Sequence, residues 1–132
     1  MGSVHRNFSC DHKKPSVSHR NYADSLVNEC FHTEDFDRLM TLIDSFQQTG
    51  DYTPEWADFR RGEAYDMARS KQVTEHYWDK LYRATDPKKD PDFYFFIAGR
   101  LSQIRLTMAD YQGSLDVAIK ALDWITPIKT VD

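Results

Sequence analysis

The side chains best equipped for chemistry in this chain of 132 residues are its two cysteines and the histidines beside them. Cys10-Asp11-His12 and Cys30-Phe31-His32 together offer two thiolates and two imidazoles, the donor set of a tetrahedral zinc site. The spacing is poor for that use. Structural zinc sites usually set about two to four residues between paired ligands, whereas one residue intervenes here, and Cys30 also falls on the apolar stripe of a helix. The expectation is a buried packing cysteine at position 30 and solvated histidines near the N-terminus, with no metal ligand assigned. His76, in Glu75-His76-Tyr77-Trp78, is a lone histidine on a helix, and such a residue is rarely functional without partners held beside it. The carboxylates are many but scattered, and no motif marks one as acid and another as base. Glu34, Asp35 and Asp92 fit better as first-turn acids that meet the positive end of a helix dipole. The sequence has no Gly-rich phosphate loop, no G-x-S-x-G elbow and no H-E-x-x-H. It reads as a protein that is not an enzyme and takes no cofactor.

The elements that must position any site are helices. Hydrophobic residues make up 40% and charged residues 29%, enough apolar content to bury a core in one domain of this length. Gly and Pro number five each and do not recur at the short spacing of a β-sandwich or barrel. The net charge of −4 is uneven, since residues 1–20 carry +3 and the remainder −7. An acidic body argues against nucleic-acid binding, which depends on Lys and Arg neutralising phosphates. Two cysteines, no secretory leader and no apolar run of roughly 20 residues imply a cytoplasmic, intracellular chain with no membrane segment.

Residues 1–19 mix His, Ser and Lys without periodicity and read as a flexible basic tail, leaving 20–132 as the folded domain. Helical spacing begins near Asn21 with Tyr22, Leu26, Val27 and Cys30. Thr33 looks like the cap of a second helix with the stripe Phe36, Leu39, Met40, Ile43 and Phe46, which Gly50 stops. Thr53-Pro54 opens a third helix that runs to about Arg69, and a fourth carries Val73, Tyr77, Leu81 and Ala84 up to the Asp86-Pro87 turn. Asp90-Pro91 opens a fifth with Phe93, Ile97, Leu101, Ile104 and Met108. The sixth carries Tyr111, Leu115, Ala118, Leu122 and Ile125 on its apolar side, and Pro127 closes it.

The chain also matches itself. Pro54, Trp56, Phe59 and Gly62 align with Pro91, Phe93, Phe96 and Gly99 at a shift of 37, and Val73, Tyr77 and Leu81 align with Tyr111, Leu115 and Ile119 at a shift of 38. Tandem two-helix units that cannot bury their apolar faces alone are the mark of a helical solenoid. The fold expected is therefore all-α, about six helices in three stacked antiparallel hairpins. Gly62-Glu63-Ala64-Tyr65, with Thr74, Trp78 and Pro87 after it and Gly99, Ser114, Ala118 and Ala121 in the next copy, resembles the tetratricopeptide repeat family. The resemblance covers residues 21–127, with a period longer than the family's roughly 34.

That resemblance implies a non-catalytic adaptor or scaffold that binds a peptide or helix of another protein on a concave face lined by the first helix of each hairpin. Asn28, Arg61, Tyr65, Arg100 and Arg105 are the candidates on those helices, the arginines being suited to grip a carboxylate bidentately. The aromatic run Phe93-Tyr94-Phe95-Phe96 wraps roughly 400° around its helix, so at least one ring should miss the core, and Tyr94 or Phe95 is assigned that role. Association of two copies through this run is left open. Two alternatives stand beside the adaptor reading. The hairpins are also similar to the mitochondrial fission adaptor family, which would make the chain membrane-tethered, although it stops at Lys129-Thr130-Val131-Asp132 without an anchor. A histidine phosphotransfer bundle would use His76, but Trp78, Asp79, Lys80 and Leu81 follow it where such domains carry a Lys and a small residue.

Overall fold

The computed structural model describes residues 17–125. Six helices run through them, α1 (Val17–Thr33), α2 (Phe36–Thr49), α3 (Pro54–Met67), α4 (Lys71–Ala84), α5 (Pro91–Thr107) and α6 (Tyr111–Leu122), with no strand among the described residues. The expected all-helical fold is what forms, and the packing of consecutive helices agrees with a helical repeat. The helix starts follow side-chain chemistry. Thr53 and Asp90 accept hydrogen bonds from the Trp56 and Phe93 amides, each followed by Pro at the first helical position. Gly50 ends α2 in the left-handed conformation.

Some boundaries differ from the sequence reading. Thr33 closes α1 rather than capping α2. Asp35 takes the cap by accepting from the Arg38 amide at 3.2 Å, while Glu34 turns left-handed. The first helix starts at Val17, so residues 17–19 of the expected tail are helical, and residues 1–16, Cys10 and His12 included, lie outside the described residues. Three turns share one local design, in which a left-handed residue is followed at once by the N-cap of the next helix. These are Glu34-Asp35, Arg69-Ser70 and Ala109-Asp110. None of the left-handed residues is a glycine, although a side chain there costs about 1 kcal/mol.

The chain divides into two units, Met1–Ala68 and Arg69–Asp132. In the first, α2 packs on both α1 and α3. Ala23, Val27 and Cys30 of α1 meet Leu39, Ile43 and Phe46 of α2, and Tyr52, Ala57 and Ala64 complete the core. Tyr22, expected on the inner stripe, is exposed because Ala23 takes the inward position. A polar cluster joins α1 to the start of α3. One carboxylate oxygen of Asp24 accepts from the Tyr52 hydroxyl at 2.5 Å and from the Trp56 indole at 3.0 Å, and the Arg60 guanidinium lies 3.7 Å away. Arg60, itself buried, also donates to Glu63 at 2.7 Å and to the side-chain oxygen of Asn28. Burial and the bond to Asp24 push the Tyr52 phenol well above its ordinary value of 10.0.

In the second unit α5 is central and packs against both α4 and α6. Ile97, Leu101 and Ile104 of α5 are buried, as are Trp78 and Leu81 of α4 and Val117 of α6. Arg105 of α5 bridges both neighbours. It donates to Glu75 and Asp79 of α4 at 3.0 Å and to the Gly113 carbonyl of α6 at 3.4 Å. Ser102 and Ser114 bond across the α5–α6 contact at 2.8 Å, where small side chains let the two helices come close.

Candidate functional site

Helix α6 carries more apolar surface than α5 covers. At roughly 100° per residue, its apolar positions span about 200° of the circumference, which needs two neighbours rather than one. Ser114 and Val117 are buried, with Ala118 and Ala121 half-buried, on the side that meets α5. Tyr111, Leu115, Ile119 and Leu122 share a face about 80° wide next to it and remain 65%, 52%, 49% and 53% exposed. Leu106, at the end of α5, adds a fifth exposed apolar side chain.

The repeat shows why this exposure is unusual. Tyr111, Leu115 and Ile119 match Val73, Tyr77 and Leu81 of α4, which are half-buried or buried. The matching face is half-buried or buried in α4 and exposed in α6. Alongside the bare stripe runs a shallow groove of about 390 Å³, lined by Phe95, Gly99, Ser102 and Leu106 of α5 and by Ala118 and Ala121 of α6. Gly99 lies in the interior of α5, and a methyl group added there would meet nothing within 4 Å. Among the described residues, no part of the unit packs closely on this glycine.

The residues chosen from sequence are distributed differently. Phe95 is half-buried and lines the groove. Tyr94, the other candidate for the stray aromatic, is buried, because its ring stacks on Tyr82 at 5.4 Å with the two hydroxyls 3.3 Å apart. That contact and burial raise the Tyr82 phenol above its ordinary 10.0, burial being the larger cause. Arg61 is aimed at α2: its guanidinium bonds Asp44, Gln47 and Asp58, each at 2.7 Å. Burial alone would lower its pKa, but the bonds to Asp44 and Asp58 raise it overall. Tyr65 packs edge-on against Phe36 of α2 at 5.1 Å, Asn28 accepts from Arg60, and Arg105 bridges α4 and α6. Arg100 lies over the Phe96 ring at 5.3 Å. Most of these polar side chains hold helices of the chain to one another, and only Phe95 belongs to the exposed face.

The stripe itself was visible in the sequence, but as core. Its signal lay in the width of the apolar arc, which exceeds what one neighbour can bury. The Asp24–Arg60 cluster also went unseen. The i, i+4 pairs Asp24/Asn28 and Trp56/Arg60, each on one helical face, were its trace. Among the described residues no group of three or more His, Cys, Asp or Glu is placed to hold a metal ion, and no helix is long and apolar enough to cross a membrane. Cys30 is buried and His76 is exposed. No family model, curated protein or solved structure matches the chain.

Proposed function

We propose that this chain is a non-catalytic protein–protein interaction module that seats a helix of another polypeptide chain along α6 and the groove beside it. The observation that carries this reading is the exposed stripe Tyr111, Leu115, Ile119 and Leu122, where the α4 counterparts of the first three, Val73, Tyr77 and Leu81, are half-buried or buried. The five exposed apolar side chains, at about 100 Å² each, amount to roughly 500 Å², near the upper end of what monomeric proteins leave to water. The docking mode is helix in groove, with affinity drawn from apolar burial at i, i+4 and i+7 positions. It differs from the concave-face mode implied by the tetratricopeptide resemblance, because Arg61 and Arg105 are engaged within the fold.

The test is site-specific photo-crosslinking in extract of the native cell, with the probe at Leu115 or at Glu29, an exposed residue of α1. Discrete polypeptide adducts from position 115 and none from position 29 are expected. Equal labelling at both positions, or no adduct at 115, would refute the assignment of the face.

A further inference from the structure

We draw no further inference here: the strongest candidate, the exposed apolar stripe of α6 with the groove beside it, belongs to the docking face already proposed, and nothing in the structure shows what covers it.

Discussion

The two units solve the same packing problem and stop at different points. In α1–α3 every helix finds its apolar partner, and the polar side chains that remain are tied together through Asp24, Arg60 and Arg61. In α4–α6 the central helix is covered on both sides, but α6 keeps half of its apolar arc bare. Charge follows the same division. Residues 1–68 hold twelve acidic side chains against seven basic, whereas residues 69–132 hold nine acidic against ten basic. The first unit is thus acidic, which discourages association, and the second is nearly neutral and carries an apolar stripe. The difference supports the proposed docking face more directly than any single residue does, because an apolar face left exposed among the described residues costs solubility.

The sharpest way to break this comparison is to truncate one leucine from each class within the second unit. Leu101 is fully buried in α5, and Leu101→Ala should cost about 3 kcal/mol in chemical denaturation through lost burial and the cavity left behind. Leu115 is half exposed, and Leu115→Ala at low protein concentration should cost under about 0.5 kcal/mol. Similar losses at the two sites would mean that α6 is covered in the folded chain and that the bare face does not exist.

Next in size is the polar cluster of the first unit. Asp24→Ala removes the acceptor shared by the Tyr52 hydroxyl and the Trp56 indole and leaves Arg60 with its charge half compensated. A loss of about 2–3 kcal/mol is expected, larger than the removal of an ordinary hydrogen bond because buried donors are stranded. Asp44→Ala, which takes from Arg61 one of its carboxylate partners while Asp58 remains, should cost under about 1 kcal/mol because the Asp44 side chain is well exposed. Urea denaturation of the two variants measures the gap, and equal effects would show that Asp24 is no hub.

Each unit also carries a tyrosine that reports on it at alkaline pH. Tyr52 and Tyr82 both hold their protons above the ordinary 10.0, mainly by burial. The unfolded chain releases these protons near 10.0 while the folded chain keeps them, so rising pH favours unfolding from that point upward. The loss for Tyr52 approaches about 1.4 kcal/mol per pH unit, and that for Tyr82 is smaller because its side chain is partly in water. Tyr52→Phe should therefore flatten the fall in stability between pH 10 and 12 more than Tyr82→Phe does, read as urea midpoints across that window. A steeper slope for the Tyr82 site would reverse the assignment of which phenol is better sheltered.

Much of this architecture was legible beforehand, and the reasons bear on what was not. Thr53-Pro54, Asp90-Pro91 and Gly50 act through their own backbone and immediate neighbours, so local sequence is sufficient to place them. The stripe Leu39–Ile43–Phe46 was likewise readable, because periodicity reports which side of a helix is apolar. Periodicity does not report what lies opposite. For that reason Tyr111, Leu115 and Leu122 looked like core, and Arg61 and Arg105 looked like free ligands for a carboxylate when Asp44 and Glu75 from other helices already bind them. Asp24 and Arg60 are 36 positions apart, and their meeting depends on how α1 and α3 come to lie together in the first unit. Counting rings around an axis named Tyr94 or Phe95 as the one that misses the core, and the count cannot know that Tyr82 of α4 stacks on Tyr94 and leaves Phe95 to line the groove.

The smallest predicted effect discriminates most finely between a face that is merely exposed and one that is used. Gly99→Ala adds a methyl group that meets nothing within 4 Å and replaces the costlier residue of the two in a helix interior. If the groove serves no partner, the variant should gain up to about 1 kcal/mol of stability and behave like the parent in every other respect. If a partner helix rests on that backbone, the same substitution should stabilise the free chain and lower the crosslinking from position 115 together. Thermal unfolding and crosslinking yield read the two effects separately. Opposite signs can arise only where the glycine is kept for an approach from outside the chain, since a residue needed for the unit's own packing would lose stability when changed.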